Sequence, residues 1–430
     1  MRTRRFFLET YGCQMNEYDS HLVESLLIAA GFAKAGDEKS ADIVILNTCS
    51  VRHRAEERAL GRIRSVSSRN GSKEIVVIGC MAQRMGKKLL DLDKNVKYVL
   101  GTDSFYRIAE ILSSANGKPV VDISCREEPI DFKSLPTLKR ISDYVTIMRG
   151  CDNFCSYCIV PYVRGRERCR PPERIVEEIV RLEDSGCREI LLLGQNVNSY
   201  KFENMDFPEL LRFIIEKTKI PRIRFLTSHP KDFSEALIES MAGSSRICNG
   251  IHLPLQSGSD AILKKMNRKY TSSDYYEKIQ QLRAKIPNVV ISTDIIVGFP
   301  GESDEDYNRT LELMKKIEFD SAFMFRYSVR EGTLAEKYGD DIPEEVKLRR
   351  LDRLIRMQKD ISERRMAFQI GKSCEILLEE PSKQSDIDAR GKTDGGINVV
   401  VRGGAAYLGK IIKAKIESSS YSTLVGEITS

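Results

Sequence analysis

Short apolar runs alternate with amphipathic segments along most of this 430-residue chain, and this alternation restricts the fold more than any other feature. In the first part of the chain the strand-like runs are residues 5–9, 42–48 and 74–79, and the helix-like segments between them are residues 17–31 and 55–67. Strands that alternate with helices form parallel sheets with helices packed on their faces. We therefore expect an α/β protein that begins with a doubly wound parallel-sheet domain over residues 4–120.

A cysteine follows each of the three predicted strands of this first domain: Cys13, Cys49 and Cys80. The carboxyl ends of the strands in an open parallel sheet converge on one crevice. The fold would therefore bring together three thiols that are far apart in the sequence. The alternative is three buried cysteines on unrelated strands, and their shared position in the topology argues against it.

A second series of strand-like and helix-like segments follows a stretch without periodicity, residues 113–138, which we interpret as a linker. Its strands are predicted at residues 144–149, 190–194, 223–227, 251–255, 289–297 and 322–327, with helices at residues 173–185, 208–217, 233–241, 273–284 and 304–316. These units fall short of the eight that close a full barrel. We expect a partial (βα)6 barrel over residues 137–367, open on one side and able to admit a large substrate.

The last part of the chain changes character after a long amphipathic segment, residues 343–369. It is rich in glycine, serine and β-branched residues, with strand-like runs at residues 373–378, 397–401 and 410–416. Such a pattern is typical of a small all-β barrel. We expect this third domain over residues 370–430.

The composition indicates an ordinary globular protein, with 41% hydrophobic and 30% charged residues. The chain has no stretch like the roughly 20 apolar residues of a membrane span and begins without a signal peptide, so we expect a cytoplasmic location and no membrane partner. Eleven cysteines in such a chain indicate metal or redox chemistry rather than disulfides. Those without a partner at ligand spacing are expected to be ordinary cysteines: Cys125, Cys169, Cys187, Cys248 and Cys374.

Three cysteines lie close together directly after the first predicted barrel strand: Cys151, Cys155 and Cys158. Active sites of βα barrels are built at this end of the strands. Thiolates bind zinc or iron-sulfur centres, and electron-transfer clusters use four of them. Three thiolates would leave one iron of a 4Fe-4S cluster free for another ligand. A structural zinc ion with a distant fourth ligand is the alternative.

The segment Gly-Cys-Asp-Asn-Phe-Cys-Ser-Tyr-Cys after the first strand of a partial barrel resembles the radical S-adenosylmethionine superfamily. The resemblance implies that S-adenosylmethionine binds the open iron through its amino and carboxylate groups and yields a 5′-deoxyadenosyl radical. It implies cofactor contacts from Tyr157, before the third cysteine, and from Gly194, Gln195 and Asn196, after the second strand. The Gly-Gly-Glu form of the latter motif is absent.

Other strand ends place polar residues where they could contact the cofactor. We expect such contacts from Gln256 and Ser257 and consider His229 in Thr-Ser-His-Pro, although a turn accounts for these residues equally well. Three more residues resemble motifs of the superfamily: Asp294, Gly298 and Glu302. The sequence Gly-Phe-Pro-Gly between them is also typical of a turn.

The segments around the first three cysteines are Glu-Thr-Tyr-Gly-Cys-Gln-Met-Asn, Leu-Asn-Thr-Cys-Ser-Val-Arg and Ile-Gly-Cys-Met-Ala-Gln, and they are similar to the three cysteine motifs of methylthiotransferases. In that family these cysteines hold a second 4Fe-4S cluster with an open iron. The resemblance thus implies two clusters, with all six cysteines in the catalytic centre. Residues 370–430 resemble a TRAM domain, an RNA-binding module, so the resemblance covers nearly the whole chain.

Within that family, residues 150–168, 194–200 and 227–230 look most like the MiaB-type branch. This branch adds a 2-methylthio group to N6-isopentenyladenosine at position 37, beside the anticodon of tRNA. Relatives that act on threonylcarbamoyladenosine in tRNA, or on an aspartate of a ribosomal protein, share the architecture and are the rival interpretations. The non-enzymatic alternative is an RNA-binding iron-sulfur redox protein.

The same resemblance implies the course of the reaction and its partners. One S-adenosylmethionine methylates a sulfur on the N-terminal cluster, and a second supplies the radical that attacks the unactivated C–H bond at carbon 2 of adenine. The partners implied are the anticodon stem-loop of tRNA, an electron donor such as flavodoxin or ferredoxin, and a sulfur donor for the N-terminal cluster. Both clusters must face one substrate atom, so we expect the two cysteine-bearing edges to pack toward each other.

Basic residues are concentrated in residues 52–73, 139–170 and 346–365. Solvated helix faces produce such runs. The first two runs, however, flank the cysteine sites, and four arginines follow the second site: Arg164, Arg166, Arg168 and Arg170. Because RNA phosphates bind to clustered lysine and arginine side chains, we interpret the two runs beside the cysteine sites as contacts to tRNA.

Overall fold

The computed structural model describes residues 3–51, 53–69, 73–114, 117–125, 139–226 and 228–429. The N-terminal part of the chain forms a six-stranded parallel sheet. Its strands are β1 Arg5–Thr10, β2 Ala33–Lys34, β3 Ile43–Thr48, β4 Glu74–Gly79, β5 Val96–Leu100 and β6 Val120–Asp122, in the order β2-β1-β3-β4-β5-β6. The helices are α1 Gln14–Ala29, α2 His53–Arg69, α3 Cys80–Met85, α4 Lys88–Leu92 and α5 Ile108–Ser114.

Both faces of this sheet are buried, because successive side chains of a strand point to opposite sides. Ile43 and Ile45 of β3 pack with residues of α1 and α5. Val44 and Leu46 of the same strand pack with residues of α2 and α3. Each face has its own hydrophobic core, which confirms the doubly wound arrangement.

The edge of this sheet extends further than the sequence predicts. β6 pairs with β5 through Tyr98 and Val120, inside the segment interpreted as a linker, so that interpretation is wrong for residues 120–122. A strand of three residues is too short to produce an alternating pattern. Residues 115–116 and 126–138 of the same segment lie outside the described part of the chain.

The central part of the chain is a second βα array. Its strands are β7 Ser142–Thr146, β8 Met148–Arg149, β9 Arg168–Cys169, β10 Glu189–Leu193, β11 Lys201–Phe202, β12 Met205–Asp206, β13 Arg222–Phe225, β14 Gly250–His252, β15 Val290–Val297 and β16 Ser321–Arg326. The helices are α6 Val160–Arg164, α7 Pro172–Asp184, α8 Phe207–Lys217, α9 Glu235–Ala242, α10 Asp260–Lys265, α11 Ser272–Lys285, α12 Asp304–Ile317 and α13 Glu344–Ala367. Among the described residues, no helix has the length and apolar character of a membrane span.

The long strands of this array are parallel and follow the order predicted from the sequence. β10 pairs with β7 on one side and β13 on the other, and β15 pairs with β14 on one side and β16 on the other. A parallel bridge between Ile223 and Ile247 joins the two groups. In the part of the chain that the structure describes, β7 and β16 do not pair with each other. The prediction of a partial, open barrel is therefore confirmed; Thr227, at the end of one predicted strand, lies outside the described residues.

The N-terminal domain covers the inner face of the first half of this barrel. Tyr144 of β7 and Leu191 of β10 pack against the hydrophobic core that lies under α1. Nδ1 of His21, on α1, lies 3.2 Å from Oδ1 of Asp143. These contacts join the sheet domain to the barrel.

The C-terminal residues form a closed five-stranded barrel within the described chain, as predicted. Its strands are β17 Ser373–Pro381, β18 Ala389–Thr393, β19 Asn398–Arg402, β20 Ile411–Ser419 and β21 Thr423–Ile428, in the order β17-β18-β19-β21-β20. The side chains of Ile376, Val399 and Ile416 lie in its core. β18 and β21 are missed by the sequence analysis, since charged residues and glycine interrupt their apolar pattern.

This small barrel closes the amino-terminal end of the central one. Arg222, at the start of β13, donates to the carbonyl oxygens of Lys392 and Glu375, each at 2.9 Å. Arg224 donates to the carbonyl oxygen of Thr393 at 3.2 Å. The opposite end of the central barrel, at the carboxyl ends of its strands, faces the N-terminal domain.

Candidate active site

Three cysteines, which we call the N-terminal cysteines, lie at the carboxyl ends of adjacent strands. Cys49 directly follows β3 and Cys80 directly follows β4, while Cys13 precedes α1 in the turn after β1. β1, β3 and β4 are neighbours in the sheet. Because adjacent strands lie about 4.8 Å apart, the fold brings these residues to one edge, as predicted.

Two glycines allow the cysteine turns to approach each other. A Cβ atom on Gly12 would lie 3.0 Å from the Cβ of Cys49. Gly79 has a φ of 92°, and a Cβ there would lie 2.6 Å from the carbonyl oxygen of Thr48. A side chain at either position would force the strand ends apart. Steric crowding therefore explains why the residues before Cys13 and Cys80 are glycines.

Two buried asparagines from the same motifs hold α1 against β3. Nδ2 of Asn16 donates to Oδ1 of Asn47 at 2.9 Å and to the carbonyl oxygen of Thr48 at 3.0 Å. Nδ2 of Asn47 donates back to the carbonyl oxygen of Asn16 at 2.8 Å. A buried and satisfied amide network of this kind fixes a single geometry, and here it fixes the turns that carry the N-terminal cysteines.

The other three cysteines, Cys151, Cys155 and Cys158, are the barrel cysteines, and their loop begins with a sharp turn after β8. Gly150 has a φ of 82°, and a Cβ there would lie 1.9 Å from the carbonyl oxygen of Arg166. Its N–H donates to Oε1 of Gln195 at 2.5 Å. The start of the loop is thereby tied to the end of β10.

The middle of this loop is held by residues that follow α10. Nδ2 of Asn267 donates to the carbonyl oxygen of Phe154 at 2.9 Å. The N–H of Ser156 donates to the carbonyl oxygen of Met266 at 3.0 Å. Phe154 itself has a φ of 45°, a conformation that is uncommon for a residue other than glycine and is often found at functional sites. The hydrogen bonds of the protein itself therefore hold the loop in a strained conformation.

A guanidinium group lies against the barrel cysteines. Nη1 of Arg268 donates to Sγ of Cys155 at 3.3 Å. Burial raises the pKa of Cys151 to about 11 and the pKa of Cys158 to about 12. These raised pKa values favour the protonated thiols near neutral pH, so binding of a metal by the thiolates would displace their protons.

The two cysteine sites meet across a buried contact between the domains. Cys80 packs against Ile159 and Val163, which follow Cys158 along the chain. Oγ1 of Thr102 donates to the carbonyl oxygen of Val163 at 2.6 Å. The prediction that the two cysteine-bearing edges pack toward each other is confirmed.

A buried ion network centred on Asp19 joins the same two edges. Asp19 is 1% exposed, and its carboxylate lies 2.5 Å from Arg149 and 3.1 Å from Arg164. Burial alone would lower the pKa of Arg164, but the neighbouring Cys80, Asp19 and Cys13 outweigh it and raise that pKa. The sequence analysis misses Asp19. An acidic residue on the apolar face of a predicted helix is unusual, and this feature could have identified Asp19 as a buried charge.

The six cysteines have the donor chemistry of iron-sulfur sites. None of them forms a disulfide within the described chain. Among the described residues, no group of three or more His, Cys, Asp and Glu side chains is arranged to hold a single metal ion. A 4Fe-4S cluster requires less convergence than a single ion, because each thiolate binds a different iron. The residues present therefore fit clusters with three thiolate ligands each.

The predicted cofactor contacts around β10 lie beside the barrel cysteines. A Cβ atom on Gly194 would lie 2.5 Å from Cγ of Met148, so close packing accounts for this glycine. Oε1 of Gln195 is already bonded to the loop. The ring of Tyr157 packs edge-on against Phe299 with its centroid 6.5 Å away. Direct contact of these residues with S-adenosylmethionine stays a prediction.

His229 and Asn196 form one buried unit at the ends of β13 and β10. Oδ1 of Asn196 accepts from the N–H of His229 at 3.1 Å, and the N–H of Lys231 donates to Nδ1 of His229 at 3.2 Å. The ring proton is therefore on Nε2, which has no partner among the described residues. Burial, with the charges of Arg268 and Lys231, lowers the pKa of His229 to about 2. A neutral N–H donor thus remains for a bound ligand.

Gln256 provides a second unpartnered polar group, whereas Ser257 is used in the turn. Gln256 has a φ of 73°, and no described residue bonds to its buried Oε1. Oγ of Ser257 accepts from the N–H of Ser259 at 3.2 Å. Tyr270 connects this strand end to His229, since its hydroxyl donates to the carbonyl oxygen preceding Gln256 at 2.8 Å and its ring packs on the imidazole at 5.7 Å. The two unpartnered atoms fit a polar ligand such as the amino-acid part of S-adenosylmethionine.

Replacing His229 with glutamine should make the stability less sensitive to acid. Because the pKa of His229 is lowered in the folded chain, its contribution to stability is present above the ordinary value of 6.5 and is lost as the pH falls. Below about pH 6.5 we expect the wild type to lose about 1.4 kcal/mol per pH unit more than the variant. Urea unfolding at about pH 7.5 and about pH 5.5 measures this difference; equal losses in the two proteins would contradict it.

The segment from Gly298 to Glu302 forms a turn after β15. Gly298 has a φ of 72°, and its N–H donates to Oε2 of Glu302 at 2.7 Å. Nη1 of Arg350 donates to the same oxygen at 2.8 Å. These two motif residues therefore shape the turn, while Asp294 lies further back on β15.

All four arginines after the barrel cysteines are paired with carboxylates. The three largely buried pairs are Arg164 with Asp19 at 3.1 Å, Arg168 with Asp103 at 2.9 Å, and Arg170 with Glu178 at 2.6 Å. The predicted phosphate contacts are wrong for these three, because a guanidinium buried in an ion pair is not available to RNA. Arg166 pairs with Asp152 at 2.7 Å, but its side chain is 74% exposed. On α2, Arg54, Arg58 and Arg64 are exposed.

Two segments of the chain match known families. Residues 145–314 match the Radical SAM superfamily, and residues 5–101 match the Uncharacterized protein family UPF0004. The first segment contains the barrel cysteines and the second contains the N-terminal cysteines. The superfamily match implies a 4Fe-4S cluster and S-adenosylmethionine as cofactors.

Two similar proteins align with nearly the whole chain. One from Clostridium novyi (strain NT) is 44% identical and covers 99% of this chain and 96% of its own length. One from Syntrophobacter fumaroxidans (strain DSM 10017 / MPOB) is 45% identical, with coverages of 99% and 96%. Both are named tRNA-2-methylthio-N(6)-dimethylallyladenosine synthase.

Solved structures share the fold at low sequence identity. The radical S-adenosylmethionine methyltransferase TsrM from Kitasatospora setae has a TM-score of 0.54 at 13% identity, covering 75% of this chain and 73% of its own. The cobalamin-dependent S-adenosylmethionine radical enzyme OxsB has a TM-score of 0.52 at 13% identity, with coverages of 81% and 56%. At these identities the likeness shows the fold alone.

Proposed function

This chain belongs to the tRNA methylthiotransferase family of radical S-adenosylmethionine enzymes, and from that membership we propose that it adds a methylthio group to carbon 2 of N6-isopentenyladenosine at position 37 of tRNA. N6-isopentenyladenosine is the nucleoside that the names of the similar proteins give as N6-dimethylallyladenosine. The proposal includes two 4Fe-4S clusters, two molecules of S-adenosylmethionine and a cytoplasmic location.

The observation that carries this proposal is the meeting of two cysteine sites from separate domains. Each site offers three cysteines that are not in disulfides and that lie just beyond the ends of strands. Cys80 from one site packs on the helix that follows Cys158 of the other. A substrate atom placed between the two sites could contact the clusters of both. Sulfur insertion requires such an arrangement, whereas simple electron transfer does not.

Carbon 2 of adenine carries a C–H bond that no acid or base removes near neutral pH, so the reaction depends on cofactor chemistry. When bound, the clusters and S-adenosylmethionine supply a radical and a sulfur atom. The barrel cysteines would hold the radical-generating cluster, and the N-terminal cysteines would hold the one that carries sulfur. Arg268 and Asn267 would keep the barrel loop in place around its cluster.

The unpartnered polar atoms would orient S-adenosylmethionine. Nε2 of His229 can donate and Oε1 of Gln256 can accept, and both atoms are buried. The amino-acid part of the cofactor has groups of both kinds. Tyr157 precedes the last barrel cysteine and would pack near the adenine of the cofactor. These contacts would hold the reacting carbon of S-adenosylmethionine toward the substrate.

The RNA would be the anticodon stem-loop of tRNA, in which a base can be splayed out of its stack and bound alone. Exposed basic side chains on α2, beside the N-terminal cysteines, are suited to its phosphates. The further partners in the proposal are an electron donor such as flavodoxin or ferredoxin and a donor that restores sulfur to the N-terminal cluster.

Turnover with defined RNA tests the proposal. The anaerobically reconstituted chain is mixed with dithionite, S-adenosylmethionine and a synthetic anticodon stem-loop that contains N6-isopentenyladenosine. We expect 5′-deoxyadenosine and 2-methylthio-N6-isopentenyladenosine, both measured by mass spectrometry of the nucleosides.

A second RNA with threonylcarbamoyladenosine at the same position separates the rivals. Product from this RNA alone would favour the threonylcarbamoyladenosine enzyme. Formation of neither 5′-deoxyadenosine nor a methylthio nucleoside would favour a redox protein. Loss of the 2-methylthio nucleoside from the tRNA of cells that lack the gene is the matching result in vivo.

A further inference from the structure

The last three strands of the central barrel have a partly exposed inner face that carries aromatic side chains. Phe323 and Phe325 of β16 are 51% and 36% exposed. In the first half of the barrel the corresponding face, at Tyr144 and Leu191, packs against the N-terminal domain. Exposed aromatic groups in a concave surface are typical of a binding site.

The register between β15 and β16 fixes which side chains share this face. Asp294 lies opposite Phe323, and Ile296 lies opposite Phe325. The side chains at the intervening positions of both strands pack into the hydrophobic core under the helices. Because side chains alternate along a strand, the carboxylate and the two phenyl rings point to the same side.

His252 of β14 borders the same surface. Its ring meets the ring of Phe323 edge-on, with centroids 5.8 Å apart and planes at 72°. Its Nε2 lies 3.2 Å from Oδ2 of Asp294, and its Nδ1 lies 2.9 Å from Oγ of Ser292. The imidazole therefore supports both Phe323 and Asp294, while half of the Phe323 side chain stays open.

This surface lies next to both cysteine sites. Ile296 packs in one cluster with Tyr157, which directly precedes the last barrel cysteine. Beyond the end of β16, Arg330 donates to the carbonyl oxygen of Val51 at 3.2 Å, close to Cys49. A base held on this surface would thus lie in the cleft between the two proposed clusters.

The charge of the surface is unsuited to an anionic ligand. Its side chains, which together we name the Phe323 face, are His252, Ser292, Asp294, Ile296, Ser321, Phe323 and Phe325. The face contains no lysine or arginine, and all of its residues are described. Arg326, the next residue of β16, is bound to Glu344 at 2.5 Å, and Arg224 on β13 is bound to Glu189 at 3.1 Å.

We propose that the Phe323 face binds the modified adenosine, with the purine stacked on Phe323 and its N6 group against Phe325. The inference rests on the proposed function and adds the basis of substrate choice. An isopentenyl group is neutral and apolar, so burial against phenyl rings stabilises it. A threonylcarbamoyl group carries a carboxylate at neutral pH, which Asp294 would repel. The face therefore selects the isopentenyl nucleoside.

Binding of matched RNAs to the reconstituted full chain tests the Phe323 face. Two anticodon stem-loops differ only in the N6 group, isopentenyl or threonylcarbamoyl, and their dissociation constants are measured by fluorescence anisotropy. Phe323→Ala should weaken binding of the isopentenyl RNA about tenfold, the effect of losing one stacked base. Asp294→Asn should strengthen binding of the threonylcarbamoyl RNA about fivefold by removing a like charge.

The control is Phe213→Ala on α8, a phenylalanine on the opposite, helical side of the barrel, which should bind both RNAs as the wild type does. Phe323→Leu should recover part of the loss, and a wild-type iron content with an unchanged circular dichroism spectrum shows that each variant is folded and loaded. The inference is overturned if Phe323→Ala binds the isopentenyl RNA normally, or if Asp294→Asn leaves the preference between the RNAs unchanged. A wild type that methylthiolates neither RNA contradicts the proposed function instead.

Discussion

Replacement of the three barrel cysteines with alanine should abolish 5′-deoxyadenosine formation, whereas replacement of the three N-terminal cysteines should leave it intact and abolish sulfur insertion. The reason is that the two sets are held by separate domains and would ligate separate clusters. Each variant should retain about four iron atoms per chain in place of about eight. Iron analysis, electron paramagnetic resonance and nucleoside mass spectrometry of the anaerobically reconstituted proteins measure these effects.

A matched control replaces two cysteines that lie outside both sites. Cys125 is exposed and Cys374 is partly exposed, so the double alanine variant should retain all of its iron and both activities. Methylthiolation by the variant without N-terminal cysteines would show that the sulfur comes from elsewhere. Full iron content in either triple variant would show that the cysteines are not cluster ligands.

The convergence of the N-terminal cysteines could be predicted from the sequence because topology alone dictates it. Once residues 5–9, 42–48 and 74–79 are recognised as consecutive strands of a parallel sheet, the residues after them must share one edge. The same reasoning places the barrel cysteines at the carboxyl end of β7 and β8. The hydrophobic pattern of the strands, together with the rule that the carboxyl ends of parallel strands share one edge, is sufficient to locate both cysteine sites.

The groups that tune and position these sites could not be predicted, because their roles depend on partners distant in sequence. Arg268 reaches Cys155 only because the turn after α10 folds back over the cysteine loop. Arg164 and Arg168 contribute to a basic run in the sequence, yet each is neutralised by an acid from the N-terminal domain. A count of charges along the chain does not distinguish a buried ion pair from a surface open to RNA.

The exposure of the Phe323 face could not be predicted from the sequence either. Residues 322–325 of β16 are a continuous apolar run, which predicts a strand buried on both faces, so hydrophobicity would assign Phe323 and Phe325 to the core. The helices instead cover the side of Met324. Because the barrel is partial, the opposite side stays open, and it is the open side that is suited to a nucleobase.

Replacement of Asp19 with asparagine should lower the free energy of unfolding by about 3 to 5 kcal/mol, the usual effect of removing one partner from a buried ion network. The substitution preserves shape but leaves the guanidinium groups of Arg149 and Arg164 buried without a counter-ion. Both arginines adjoin cysteine loops, so the alignment of the two sites should also suffer. We therefore expect methylthiolation to fall more than 5′-deoxyadenosine formation.

Glu305→Gln is the matched control, since it makes the same acid-to-amide change in an exposed pair with Arg309 on α12. An exposed pair of this kind contributes less than about 1 kcal/mol. Urea unfolding of the reconstituted variants compares the two substitutions under the same conditions. If Asp19→Asn is as stable as the control, the ion network does not hold the domains together. If it is destabilised but both activities fall equally, Asp19 supports the fold without setting the alignment of the two cysteine sites.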